Sequence, residues 1–278
     1  MKLDLKKKID LSKAEAWKVV LLTICLILAF SIVAGAFNDV SENVASLATA
    51  TLLYVGGGVC LLVLDYLVFN WGSEGDQANH MDAKKLAGHL CSGFLVGFLL
   101  LTVVAALLYL LGDYKVVSVT FQPSLVRALA FFFFVACAEE VTFRGVLFRI
   151  VDQRWNYLTA MIVTGIAYAV LGITYSDANL WAGVAIAVVG LLMGAAYKSS
   201  GTLWFPIGMH WAMDFTLVSL LGFPMSGDYE LPSLIHSSTN GSAPLTGGDS
   251  APAASVLFTL LGILLTAYFS KRVGQKRP

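Results

Sequence analysis

Apolar and polar stretches alternate along the chain on the scale of membrane-spanning helices. Runs of about 20 mostly apolar residues recur between short polar segments, and a helix of that length crosses a bilayer. The pattern predicts an all-α, polytopic membrane protein with about eight transmembrane helices. The predicted spans are residues 17–37, 48–70, 88–112, 124–149, 157–174, 180–197, 202–221 and 254–270.

Composition supports this interpretation. The 278 residues are 58% hydrophobic and 13% charged, and the mean hydropathy is +0.77. Soluble domains carry about 25% charged residues, so an ordinary soluble protein is excluded. The formal net charge is zero, which gives no indication of a nucleic-acid partner. The four cysteines form no CxxC pair and lie in apolar runs, which indicates reduced residues within the membrane.

The distribution of positive charge predicts the orientation. Eight spans place both termini on one side, and if that side is cytoplasmic, fifteen of the eighteen Lys and Arg residues face the cytosol. Lys115 and Arg127 fall outside, and Arg144 lies within a span. Together with short loops, this predicts a multi-pass protein of a plasma membrane, of bacterial type, with both termini cytoplasmic.

Three regions follow from the spans. Residues 1–123 contain a basic cytosolic lead-in and three spans, and residues 124–221 contain the four spans that carry most of the buried charge. Residues 222–278 contain an extracytoplasmic loop, the last span and a basic tail. The loop, residues 222–253, is rich in Gly, Ser, Pro and Thr, so we expect it to be irregular and mobile.

Three charged residues lie close together in the fourth span. Each such charge costs about 2.5–3.5 kcal/mol at the centre of a membrane helix, so it needs a partner, water or a function. Glu140 and Arg144 are i, i+4 neighbours and can neutralise each other. Glu139 is turned about 100° from Glu140 and has no local partner, so it is the candidate functional group.

The seventh span carries His210 and Asp214 on one helical face. At 1.5 Å per residue, His210 lies about 12 Å from the cytosolic end of its helix, and Glu139 about 22 Å from the opposite surface of a core about 30 Å thick. We therefore expect the two groups to meet in an intramembrane cavity that faces the cytosol. A carboxylate, an imidazole and a second carboxylate can activate a water and stabilise an oxyanion.

Other interpretations of these groups remain open. They can form a buried ion-pair cluster that only locks two helices together. They can also bind a metal, since Glu139, Glu140, His210 and Asp214 supply oxygens and one imidazole. Zinc usually takes more nitrogen or sulfur, and the chain has no HExxH, so we expect neither a metal nor another cofactor. A channel or duplicated transporter is disfavoured because no internal repeat is present. Asp65, isolated in sequence, is expected to be a structural acceptor.

Two segments resemble motifs of one protease family. EEVTFRG, residues 139–145, resembles the EExxxR motif of the CAAX-processing and bacteriocin-processing (CPBP, or Abi) intramembrane proteases, which include Rce1-like CAAX endopeptidases. SSGTLWFPIGMHWAMDF, residues 199–215, is similar to the family's HxxxN motif and its lead-in. The resemblance covers about residues 124–221 and implies an eight-helix fold. It also implies an intramembrane endopeptidase acting on a membrane-associated peptide or protein.

The resemblance assigns roles by position. Glu139 would be the general base that activates water, and Glu140 and Arg144 would be the pair that orients it. His210 would hold the water or the developing oxyanion. Asp214 occupies the position of the final Asn of HxxxN, and a tightly bound metal is not implied.

Two positions depart from the family pattern. The middle motif, FxxxH, aligns with residues 168–172, where the aromatic residue is Tyr168 but the histidine is replaced by Gly172. Asp214 replaces an asparagine, and a carboxyl group donates a hydrogen bond only when protonated. A hydroxyl of Tyr168 or Tyr175, or a water, would have to replace the imidazole. The alternative function is therefore a catalytically impaired relative that acts as a membrane scaffold or bacteriocin-immunity protein.

Overall fold

The computed structural model describes residues 16–44, 46–69, 83–175, 180–223, 231–248 and 252–275, and these are mainly helical. The predicted basic lead-in up to residue 15 and most of the loop between the second and third spans lie outside these ranges. The helices are α1 (Ala16–Glu42), α2 (Leu47–Phe69), α3 (Ala83–Leu111), α4 (Leu125–Glu140), α5 (Arg149–Arg154), α6 (Tyr157–Tyr175), α7 (Leu180–Ser200), α8 (Trp204–Asp214), α9 (Ala243–Thr246) and α10 (Val256–Gln275).

Membrane-spanning length and composition occur in five helices of the described chain. A further apolar stretch, Tyr157–Gly172, is shorter. The chain is therefore a multi-pass membrane protein, as its hydropathy predicts. The five segments are Leu21–Val40, Leu47–Leu67, Ala83–Leu111, Ala182–Ser200 and Val256–Gln275.

Two helical runs change their winding beside the charged residues. The π-helix π1 (Val141–Phe148) joins α4 to α5, and π2 (Phe215–Leu220) continues α8. The backbone stays helical at each junction, with φ −62° and ψ −47° at Val141. π-Helical turns are rare and occur frequently at functional sites. The sequence predicted a helix through both ranges but not the wider winding, which the apolar periodicity does not specify.

A small antiparallel sheet accompanies the predominantly helical fold. β1 (Tyr114–Val119) pairs with β2 (Ile235–Thr239), and β2 lies in the stretch predicted to be an irregular loop. Within residues 231–248 that expectation is wrong, since this range contains both β2 and α9. The pairing joins segments more than a hundred residues apart, so no local pattern signalled it. Residues 224–230 and 249–251 lie outside the described ranges.

Glycines let α2 approach α4 closely. A Cβ atom at Gly57 would lie 3.0 Å from the ring of Phe134, and one at Gly58 would lie 2.9 Å from the ring of Phe133. Such distances are shorter than van der Waals contact, so only glycine fits at this interface. The close packing places α2 beside the helix that carries Glu139 and Glu140.

Candidate active site

The end of α4 and the middle of α8 bring two carboxylates and an imidazole together. Nε2 of His210 lies 3.8 Å from Oε2 of Glu139, and Nδ1 lies 2.9 Å from Oε1 of Glu140. The predicted meeting of Glu139 and His210 is thus observed. Because an ionised carboxylate only accepts hydrogen bonds, we assign the Nδ1 hydrogen of His210 to the bond with Glu140.

Arg144 forms the buried base of this cluster. Its Nη1 donates to Oε1 of Glu140 at 2.9 Å, and its Nη2 donates to the carbonyl oxygen of Gly190 on α7 at 3.1 Å. The side chains of Arg144 and Glu140 are fully buried. The i, i+4 pair predicted from the sequence is therefore present, and its arginine also ties π1 to α7.

Asp214 approaches the same imidazole nitrogen as Glu139. Its Oδ2 lies 3.3 Å from Nε2 of His210, so two carboxylates face Nε2 while Glu140 faces Nδ1. The side chain of Glu139 is 32% exposed and that of Asp214 is 23% exposed. Glu139 and Asp214 are therefore the accessible carboxylates, and Glu140 is the buried one.

Tyr168 on α6 completes the cluster. Its hydroxyl lies near the Glu139 carboxylate, and its ring lies 6.4 Å from the ring of His210, centroid to centroid. Cζ of Arg144 lies 5.2 Å from the Tyr168 ring centroid, within the range of a cation–π interaction. The aromatic residue of the middle motif therefore lies in the site and brings a hydroxyl to Glu139. The side chain of Tyr175 lies outside the described part of the chain.

At Gly172, the position aligned with the missing histidine, α6 packs against α7. A Cβ atom at Gly172 would lie 2.7 Å from Cδ1 of Ile186 and 2.9 Å from its Cγ2. A larger side chain would fit only if Ile186 moved. The departure from the family pattern thus coincides with a tight helix contact.

Close packing at glycines, which the sequence analysis did not single out, positions the helix that carries His210. Cβ atoms at Gly93 and Gly97 of α3 would collide with the carbonyl oxygens of Phe205 and Met209 on α8. A Cβ atom at Gly208 of α8 would collide with a carbonyl oxygen of α3 in turn. The Gly-x₃-Gly spacing in α3 is typical of close helix packing in membranes and was the available signal.

Trp211, next to His210, joins α8 to α4. Its indole Nε1 donates to the carbonyl oxygen of Leu129 at 2.8 Å. Its ring makes edge-on contacts with Phe94 on α3 and Phe133 on α4, at centroid distances of 5.0 and 5.2 Å. These contacts fix the rotation of α8 that points His210 towards Glu140.

A second buried ion pair lies towards the end of the same helical run. Nη1 of Arg149 lies 3.5 Å from Oδ1 of Asp65 on α2, and Nε of Arg149 donates to the hydroxyl of Tyr197 on α7 at 3.3 Å. A Cβ atom at Gly145 would lie 2.5 Å from the same oxygen of Asp65. Asp65 therefore forms a buried ion pair with Arg149, a partner that the sequence did not identify.

A metal site would require several potential ligands to point at one position. Across the ranges that the structure describes, no group of three or more His, Cys, Asp and Glu side chains is placed to hold a metal ion. Of the four candidate ligands, Glu140 already contacts Arg144 and His210 through Oε1. The absence of a cofactor remains a prediction.

These features define a class of protein: a multi-pass membrane protein with acids, an arginine and an imidazole clustered between its helices. Residues 120–216 match the family model of the Rce1-like type II CAAX prenyl endopeptidases. This segment is therefore similar to the Rce1-like family, and it contains both motifs that predicted the resemblance. The sequence has no match among curated proteins.

Proposed function

We propose that the protein is an intramembrane endopeptidase in which Glu139 activates a water molecule. The main support is that His210 contacts three carboxylates. Of these, only Glu139 and Asp214 are accessible to solvent. A buried pair of Glu140 and Arg144 beneath them orients the imidazole. The accessible side of the cluster therefore combines a base with a group that can donate a hydrogen bond.

The proposed reaction is hydrolysis of a peptide bond. Glu139 takes a proton from water as the water oxygen bonds to the carbonyl carbon, and the carbonyl π electrons move to the oxygen. The oxyanion accepts a hydrogen bond from Nε2 of His210 or from the Asp214 carboxyl group, whichever of the two carries a proton. When the C–N bond breaks, the amine leaves with the proton from Glu139, which regenerates the carboxylate.

The proposal includes a topology. We infer that the helical runs containing α4 and α8 cross the membrane together with α6 and the five helices of membrane-spanning length, giving eight spans around a cavity open to the cytosol. The π-segments extend α4 and α8 to residues 148 and 220, which supports this count. Positive charges then lie mainly on the cytoplasmic side, with both termini, at a plasma membrane of bacterial type.

The substrate class follows from the position of the site. A cluster between membrane helices is reached by peptides or proteins that are themselves held at the membrane. A prenylated CAAX peptide belongs to this class and is the substrate that the family description names. In a bacterium, the proposed substrates are a peptide pheromone, a bacteriocin leader or a membrane-protein segment.

The test is cleavage in H₂¹⁸O by purified protein in lipid nanodiscs. The probe is a fluorogenic, farnesylated CAAX peptide, and mass spectrometry detects ¹⁸O in the new carboxyl group. Glu139→Gln should lower the rate by about 10²–10⁴-fold, the usual contribution of a general base. Asp39→Asn, which changes an exposed carboxylate on α1, should cleave like the wild type. Equal rates for Glu139→Gln and the wild type would reject the mechanism.

The second candidate is a non-catalytic relative that acts as a membrane scaffold or bacteriocin-immunity protein. The observation in its favour is Gly172, where the packing against Ile186 leaves no room for the family's histidine without rearrangement. It predicts that neither the wild type nor Glu139→Gln cleaves the peptide. It also predicts that Glu139→Gln leaves the cellular phenotype unchanged.

A further inference from the structure

The two-stranded sheet has one polar and one largely apolar face. Directly opposite residues of an antiparallel pair share a face, so the register assigns each side chain. Lys115 is opposite Ser238 and Ser118 is opposite His236, and these four exposed residues form the polar face. The pairs on the other face, called here the inner face, are Tyr114 with Thr239, Val116 with Ser237, and Val119 with Ile235.

One end of the inner face is fixed to the protein. The Tyr114 hydroxyl donates to the carbonyl oxygen of Leu221 at 2.9 Å, and the Ser237 hydroxyl donates to that of Gly222 at 3.1 Å. Gly222 has φ +69°, and a Cβ atom there would collide with the carbonyl oxygen of Ile235. The sheet is therefore clamped onto the end of the helical run that carries His210.

The other end of the inner face is apolar and uncovered. Val119 is 64% exposed, and Phe121, two residues further along the chain, is 77% exposed. The register shifts between Val116 and Ser118, so Val117 pairs with no residue of β2, and it is 69% exposed. Exposed apolar side chains so close together require a non-aqueous neighbour.

The surface of α3 shows what that neighbour is. Leu99, Val103, Leu107 and Leu110 are exposed and recur at helical spacing, so they form one stripe on a helix of membrane-spanning length. This stripe faces the hydrocarbon of the bilayer. α3 ends at Leu111, three residues before β1 begins, and α4 begins at Leu125, four residues after Phe121. β1 therefore joins the ends of two helices, and its uncovered end lies close in the chain to the start of α4.

We propose that the sheet lies on the bilayer surface with Val119 and Phe121 inserted among the lipids and Lys115 directed to the headgroups and water. The partner is the lipid itself, at the membrane end where α3 finishes and α4 begins. Since the other end of the sheet is clamped at Leu221 and Gly222, the lipid contact also holds the end of the π2 run at a fixed depth. This inference does not depend on the proposed protease activity.

The test uses spin labels on neighbouring positions of one strand. The accessible cysteines Cys25, Cys60 and Cys91 are first replaced by serine, and single cysteines are then introduced at Val119, Phe121, Ser118 or Lys115. Nitroxide-labelled protein is placed in phosphatidylcholine–phosphatidylglycerol nanodiscs, diluted with unlabelled protein. Relaxation by oxygen, which concentrates in lipid, is compared with relaxation by a water-soluble nickel chelate.

We expect a several-fold higher oxygen-to-nickel ratio at Val119 and Phe121 than at Ser118 and Lys115. Equal ratios at the adjacent residues Val119 and Ser118 would overturn the proposal. So would shielding of Val119 that depends on a second copy, seen as dipolar coupling between fully labelled molecules. As a control, labels are attached at both Lys115 and Ser238, which face each other across the strands. A short distance between the two labels shows that the strands remain paired.

Discussion

His210 and Arg144 share a single oxygen of Glu140. Nδ1 of His210 and Nη1 of Arg144 each lie 2.9 Å from Oε1 of this fully buried carboxylate. The other carboxylate of the motif, Glu139, lies on the opposite side of the imidazole and is partly exposed. Glu140 is thus the structural acid and Glu139 the accessible one, and the following predictions use that division.

Removing Arg144 should destabilise the protein strongly. Arg144→Ala leaves the Glu140 carboxylate buried without its arginine partner, and breaking a buried pair in this way costs about 3–5 kcal/mol. The control is Lys198→Ala, which breaks the partly exposed pair with Asp152 and should cost about 0–1 kcal/mol. Yield and thermal unfolding in detergent measure both. Similar losses for the two variants would contradict the assignment of Glu140 and Arg144 as the buried base of the site.

Asp214→Asn should retain cleavage, whereas Asp214→Ala should lose most of it. A carboxyl group donates a hydrogen bond only while it holds a proton, whereas an amide donates at every pH. The asparagine variant therefore keeps a donor beside Nε2 of His210, where Oδ2 of Asp214 lies at 3.3 Å, and it should cleave at least as fast as the wild type.

The measurement is the cleavage rate of the wild type and both variants with the same peptide at one pH. Asp214→Ala removes the donor at this position and should be slow. If Asp214→Asn is as slow as Asp214→Ala, then Asp214 does not act as a donor.

Tyr168→Phe should separate the hydroxyl from the packing of the ring. The variant keeps the edge-on contact with Phe143, 5.1 Å between centroids, and the position of the ring beneath Arg144. It loses the hydroxyl near Glu139, and a hydrogen bond from such a group typically contributes about 0.5–1.5 kcal/mol to stability. If the hydroxyl replaces the missing imidazole in proton transfer, the rate should fall about 10²-fold or more, well beyond that stability change. A wild-type rate in Tyr168→Phe would reject this role.

Gly97→Ala should displace His210 from a distance. The added methyl group would meet the carbonyl oxygen of Met209, adjacent to His210, and overpacking of this kind costs about 1–3 kcal/mol. Gly88→Ala is the matched control on the same helix, because a Cβ atom there has no neighbour within 4 Å. Thermal unfolding and cleavage rate should both decline for Gly97→Ala only. Equal behaviour of the two variants would show that the contact of α3 with α8 does not position the site.

Local sequence patterns were sufficient to predict the helices and the reactive side chains of the site. A span is recognised from its own apolar residues, and the i, i+4 pairs of Glu140 with Arg144 and of His210 with Asp214 follow from helical geometry alone. The motifs also identified the segment that matches the family. All of these properties depend on residues close together in the chain.

Which atom of His210 faces which carboxylate could not be predicted from local patterns, because it depends on how α8 is rotated against α4. That rotation is fixed by the glycine contacts of α3 and by Trp211, residues whose roles arise from distant backbone. The same holds for the pairing of Asp65 with Arg149 and for the sheet of β1 and β2. Each joins segments far apart in the chain, and hydrophobic periodicity contains no information about which distant segments meet.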